Sequence, residues 1–164
     1  GRAFLQIIPG WLFRGGYDAA LREKLIEKDW VEAVIQLPEK LLSNTNIETV
    51  LLVLNKAKDT NGVVRFVDAR TLGQRIRSQT TLMPEDITLI RNLVMGIETD
   101  SQISQTISLQ QIKENKYNLH CNEYFASEIE ETKLDLKAES DKLIQAQLEY
   151  EKAQQIFNQI LSEV

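Results

Sequence analysis

Cysteine and histidine occur once each in this 164-residue chain, as the neighbours His120 and Cys121. One thiol excludes a disulfide framework within the chain, and a zinc site would have to take most of its ligands from carboxylates. Neighbouring side chains on a strand point to opposite faces, so the pair reads as a strand or loop segment and no metal is expected. A single histidine also leaves no Ser/His/Asp or Cys/His arrangement for nucleophilic catalysis of the usual kind. No apolar run approaches the roughly eighteen residues of a membrane span, and no membrane partner is expected. Glycine is sparse, with seven in all. Gly10, Gly15 and Gly16 follow an apolar run, but their spacing matches neither the dinucleotide nor the phosphate-loop pattern. Bending of the chain over a sheet edge is the better account of them. No acid/base pair can be singled out among 24 acids, so the chain's own residues do not describe a complete enzyme.

What is present is ordinary for one globular domain with a core: 43% hydrophobic and 26% charged residues. The net charge of -5 is confined to residues 127–164, where nine acids face four lysines. All eight arginines precede residue 92, and Arg65, Arg70, Arg75 and Arg77 lie close together with Asp68 as the one acid among them. That cluster can meet phosphates, although a solvated charged face is the commoner meaning of such a run.

The apolar run Ala3–Ile8, stopped by Pro9-Gly10, predicts a strand buried on both faces. Such a strand at the first residues needs neighbours on both sides, which suggests a piece of a longer protein. Asp18 can cap a helix running to about Asp29, with Leu21 and Leu25 on its inner face. Val31–Leu37 follows as a second strand, completing a βαβ unit. The connection to the apolar run Val50–Leu54 has little room for a crossover helix, which makes this third strand antiparallel to the second. Between them lies a polar loop, Leu42-Ser-Asn-Thr-Asn-Ile47, whose Asn and Thr residues have no structural need to cluster. Function is to be sought there.

Lys58–Gly62 reads as a turn into Val63–Val67, a short edge strand. Residues 69–83 read as an exposed connection. Pro84-Glu85-Asp86 starts a helix, with Ile87, Ile90 and Val94 on one face before Gly96. Ser127-Glu-Ile-Glu130 is a capping box. Beyond it there is neither proline nor glycine, and Ile129, Leu136, Leu143, Tyr150, Phe157 and Val164 recur every seven residues. This predicts a coiled-coil-like amphipathic helix about 50 Å long. Its seam is longer than a domain of this size covers easily, so docking to a partner is favoured over intramolecular packing.

The succession Pro9-Gly-Trp-Leu-Phe-Arg-Gly-Gly16, Leu21-Arg-Glu-Lys-Leu-Ile26, Val31-Glu-Ala-Val-Ile-Gln-Leu-Pro38, Thr45-Asn-Ile47 and Leu51-Leu-Val-Leu-Asn-Lys56 resembles the modification subunits of type I restriction-modification systems. Those proteins are N6-adenine DNA methyltransferases. Val67-Asp-Ala69 and Ile112-Lys-Glu-Asn-Lys-Tyr-Asn-Leu119 with Tyr124 continue the match in order. Leu42 stands where the family commonly has phenylalanine, and Asn46 and Glu48 replace a usual glycine and proline.

The resemblance implies an α/β fold: the C-terminal part of a class I, Rossmann-like methyltransferase sheet ending in an antiparallel strand, then helices and the long amphipathic helix. On that basis 1–70 is the end of the catalytic domain, 71–126 a helical or irregular extension, and 127–164 the helix for subunit docking. The family's S-adenosylmethionine motif and its Asn-Pro-Pro-Tyr/Phe catalytic motif both precede the matched region and are absent here. The methyl donor is therefore implied for the full-length parent and not for this piece, which is expected to be inactive alone. Adenine methylation requires the base to be flipped out of the duplex. By the resemblance, Leu42, Asn44, Thr45 and Ile47 are candidates for base-side or target-strand contacts, and Trp11, Phe13 and Arg14 for the rim of the pocket. Phe13 and Ile47 read equally well as core residues. Leu136, Leu143, Tyr150 and Phe157 are the docking candidates. Implied partners are DNA and the specificity and restriction subunits of a type I complex, and the implied location is cytoplasmic. The rival class is a non-enzymatic α/β interaction module with a coiled-coil arm.

Overall fold

The computed structural model describes residues 1–43 and 45–125, and within the remainder residues 145, 147, 150–152 and 154. The chain forms two units, Gly1–Ser127 and Glu128–Val164. Asn44, the capping box from Ser127 and the seam residues Leu136, Leu143 and Phe157 lie outside the described residues. Tyr150 is helical and exposed.

In the first unit the strands β1 (Arg2–Ile7), β2 (Val31–Leu37), β3 (Thr49–Asn55), β4 (Val63–Asp68) and β7 (Ser104–Ser108) form one sheet in the order β1-β3-β2-β4-β7. β3 runs antiparallel to β1 and to β2, β2 is parallel to β4, and β7 is antiparallel to β4. The antiparallel β2–β3 step is the one that the short connection demands. β1, β2 and β4 consequently point the same way, with β3 inserted between the first two. Helices α1 (Tyr17–Glu27) and α3 (Leu109–Glu114) belong to one face and α2 (Pro84–Met95) to the other. The first face buries Leu12, Ile26, Val34, Leu52, Phe66 and Ile112, and the second buries Ala33, Ile35, Val53, Val67 and Leu93. A sheet covered on both faces explains why β2, buried along its whole length, is mainly apolar without alternation, Glu32 and Gln36 being its two polar residues.

Four expectations are corrected. β1 is an edge strand among the described residues: it pairs with β3 alone, and Phe4 is 62% exposed. β4 is not at an edge, because the connection after β3 crosses the start of β2 and places β4 on its far side. Lys58 fixes that crossing from a buried position. Its ammonium donates to Val31 O at 3.0 Å and Val63 O at 2.7 Å and pairs with Asp29. The inner face of α1 is centred on Arg22 and Ile26, both buried; Leu25 packs against the core as expected, but Leu21 is exposed, and Gly16 rather than Asp18 is the N-cap. Finally, residues 74–81 are not a bare connection: β5 (Gln74–Ile76) and β6 (Gln79–Thr81) form a separate hairpin. The strand β7 escaped prediction because its sequence, Ser-Gln-Thr-Ile-Ser, contains one apolar residue.

α2 follows its pattern at Ile90 and Val94, which pack against the core, but Ile87 is exposed. Asp86 Oδ2 accepts from Met83 N at 2.8 Å at the start, and Gly96 ends it at φ 70°, a left-handed conformation suited to glycine. Arg65 Nη1 donates to Val94 O at 2.8 Å and lies so close to Gly96 that a β-carbon there would meet Nη2 at 2.6 Å. A cation is thereby placed at the negative end of the helix.

Candidate functional site

Because β1, β2 and β4 are parallel to one another, their carboxyl ends share one edge of the sheet, where open α/β sheets bind their ligands. From this edge leave the turn Pro9–Gly16, the loop of residues 38–48 and the segment starting at Ala69. The turn is built from within. Leu12 is fully buried in the core and Trp11 packs against it. Arg22 Nη1 donates to Trp11 O at 2.5 Å, its Nε donates to Tyr117 O at 3.1 Å, and its guanidinium lies 5.6 Å from the Trp11 ring centroid. Burial holds the Arg22 pKa below its ordinary value. Trp11 is thus a supporting residue of the turn, whereas Phe13 next to it is 56% exposed and meets His120 edge-on at 6.0 Å. Arg14 folds its guanidinium back over Gly10 and reaches Asp18 at 3.9 Å.

The second loop presents Leu42, 41% exposed, and Ile47, 59% exposed. Thr45 is inward of these: its Oγ1 accepts from Ile47 N at 3.1 Å, an ST turn that shapes the loop. Phe13 and Ile47 are therefore surface residues at this edge, not core residues.

A polar cluster that the sequence reading did not assemble lies behind Phe13. Gln36, at the end of β2 and fully buried, accepts from Cys121 N at its Oε1, 2.8 Å away. This orientation turns the Gln36 amide nitrogen toward His120 Nε2 at 3.4 Å, while His120 Nδ1 faces Asn122 N at 3.3 Å. Both ring nitrogens meet donors, so a neutral imidazole satisfies one and an imidazolium neither. Burial, and then the charge of Arg70, accordingly lower the His120 pKa, against Glu48, Glu123 and Asp68. Asp68 is paired across the β2–β4 register with Gln36 and holds Arg70 through two bonds, at 2.8 and 2.5 Å. Arg70 Nη2 reaches on to Asn122 Oδ1 at 2.6 Å. Burial pushes the Asp68 carboxyl up, but the bonds from Arg70 outweigh it and leave the group below its ordinary value. The Cys121 thiol, buried beside Val67 O, is pushed up to about 12 and stays protonated. Among the described residues no three His, Cys, Asp or Glu side chains are grouped to hold a metal, and no helix is long and apolar enough to cross a membrane.

The cluster has a pH signature. His120, Asp68 and Glu32, which is held by Arg2 at 2.7 and 3.0 Å, all have folded pKa values below the ordinary ones. As pH falls, the unfolded chain takes up each proton first, so the stabilisation is complete above the ordinary value and is lost below it. Urea midpoints should be level between about pH 7 and pH 8, fall first below 6.5 through His120 and again below 4.5 through Glu32. His120→Gln should abolish the first fall; a wild-type midpoint unchanged between about pH 7 and pH 5 would contradict this assignment.

A mixed α/β sheet with this edge has the fold of methyltransferase subunits. The type I restriction-modification system methyltransferase subunit from Streptococcus thermophilus aligns with a TM-score of 0.71 and 29% identity, over 76% of this chain and 26% of that one. Residues 1–133 match the family N-6 DNA Methylase, and the chain belongs to that family. It is 32% identical over 137 residues to the type I restriction enzyme MpnII methylase subunit of Mycoplasma pneumoniae, covering 84% of this chain and 25% of that protein. With the MjaVII methylase subunit of Methanocaldococcus jannaschii it shares 33% identity over 135 residues, 79% of this chain and 23% of the relative. The chain thus spans about a quarter of the length of the curated relatives that it matches.

The edge turn and loop were legible through the family pattern. Gln36, His120 and Asn122 were not, because they meet only when residues 118–125 fold back onto the carboxyl end of β2. The one available signal was a glutamine near the end of a strand whose only other polar residue is Glu32.

Proposed function

We propose that this chain is the C-terminal part of the modification subunit of a type I restriction-modification system. In the full-length parent it would contribute to transfer of a methyl group from S-adenosylmethionine to the N6 amino group of an adenine in DNA. The observation that carries this reading is the family match over residues 1–133, joined to a 29% identical solved subunit of the same fold.

The described residues do not fit the methyl donor. The strand-to-helix turn after β1 is filled by Leu12 and Trp11, with the carbonyl of Trp11 already taken by Arg22, and leaves no glycine-lined cradle. The chain alone is expected to be inactive. Its role is on the target side. Phe13, Leu42 and Ile47 offer exposed apolar surface at the carboxyl edge for an unstacked base, and Thr45 shapes the loop that carries two of them. Asn44 belongs to the same loop and remains a candidate for the target strand. Residues 1–70 then complete the catalytic domain and 71–126 extend it. The seam of residues 127–164, with Leu136, Leu143, Tyr150 and Phe157, docks the specificity subunit in a cytoplasmic complex that also holds the restriction subunit.

Calorimetry on the full-length parent, purified together with its specificity subunit, tests this. S-adenosylmethionine should bind with a stoichiometry of one per modification subunit. A parent that co-purifies with its partner yet binds no donor would leave only an interaction module with a helical arm.

A further inference from the structure

Five of the eight arginines are engaged within the first unit, Arg14 with Asp18 at 3.9 Å and four others. Arg2 serves Glu32, Arg22 the turn after β1, Arg65 the end of α2, and Arg70 Asp68. Arg75, Arg77 and Arg91 differ, and the first two stand together. Both are exposed, neither enters an ion pair among the described residues, and no acid occurs between Asp68 and Glu85. They stand on the β5–β6 hairpin, Arg75 opposite Thr80 and Arg77 in the two-residue turn. Arg77 has φ 59°, a conformation that glycine or asparagine adopts at less cost, so the turn carries an arginine against its local preference.

The position of the hairpin gives these charges a use. Thr80 N donates to Lys40 O at 2.9 Å, which ties β6 to the loop of residues 38–48. That is the loop placed beside the target base above. We propose that the Gln74–Thr81 hairpin grips the DNA backbone next to the extruded adenine, with Arg75 and Arg77 each on a phosphate. This inference rests on the methyltransferase reading. Guanidinium groups suit it because they bind phosphate oxygens through two parallel N–H bonds. Such contacts position a duplex without reading its sequence.

The test is the affinity of the full-length parent, assembled with its specificity subunit, for a fluorescent duplex, followed by anisotropy between about 50 and about 200 mM salt. Arg75→Gln/Arg77→Gln should bind about 10-fold more weakly at about 0.1 M salt, and the slope of log affinity against log salt should fall by about 2. The loss should be equal on target and non-target duplexes, with donor binding unchanged. Arg75→Lys/Arg77→Lys should retain the wild-type slope, because charge and not shape sets it. An unchanged slope and affinity in the glutamine variant overturns the hairpin assignment alone, as does equal loss in both variants. A wild-type assembly that binds neither DNA nor donor overturns the methyltransferase reading beneath it.

Discussion

Arg22→Ala is expected to destabilise the Gly1–Ser127 unit by about 3 to 5 kcal/mol, a large share of the stability of any domain of this size. Arg22 is 2% exposed, and its guanidinium is the donor for two backbone carbonyls 106 residues apart in sequence, Trp11 O and Tyr117 O. Removing it leaves two part-buried carbonyls without their donor, at about 1 to 3 kcal/mol each, and takes away the aliphatic stem packed in the same place. Arg22→Lys should recover less than half of the loss, since one ammonium cannot span both acceptors as a planar fork does. Urea denaturation followed by tryptophan fluorescence measures it. A loss below about 1 kcal/mol would mean that the turn after β1 is held by Leu12 alone.

Phe13→Ala should have the opposite profile, with little change in stability and a large change in turnover. The ring is 56% exposed and its one aromatic neighbour, His120, is at 6.0 Å, so the fold gains little from it. Stacking of a base on an aromatic face is worth about 1 to 3 kcal/mol. If Phe13 meets the extruded adenine, its removal from the full-length parent should lower kcat/KM for DNA methylation by about 10- to 100-fold, with donor affinity and urea midpoint unchanged. Phe13→Tyr should retain most of the activity. Full activity in Phe13→Ala would assign the base-side role to Leu42 and Ile47 alone.

Strand existence was legible where burial on both faces imposed a mainly apolar run without alternation, as in Val31–Leu37 and Val50–Leu54. The short polar connection between these two also determined that they are antiparallel. Position within the sheet was not legible, because it depends on crossings that local patterns do not record. β4 became interior through Lys58, whose buried ammonium serves the carbonyls at the starts of β2 and β4; a lysine in a turn gives no sign of that. Likewise Arg22 sits where an amphipathic pattern would have placed leucine, and so Leu21, unlike Leu25, was wrongly assigned to the inner face of α1. At the carboxyl edge, Phe13, Leu42 and Ile47 were recognisable by motif. The Gln36, His120 and Asp68 cluster behind them is a product of contacts across up to 85 residues, which no local spacing encodes.

The most direct measurement is transfer of a labelled methyl group from S-adenosylmethionine to duplex DNA by the full-length parent with its specificity subunit, followed by nucleoside analysis. Label in N6-methyladenine, absent when the parent is truncated to this chain, is the result expected. Recovery of the label in any other nucleoside, or no transfer by a parent that binds both donor and DNA, would contradict it.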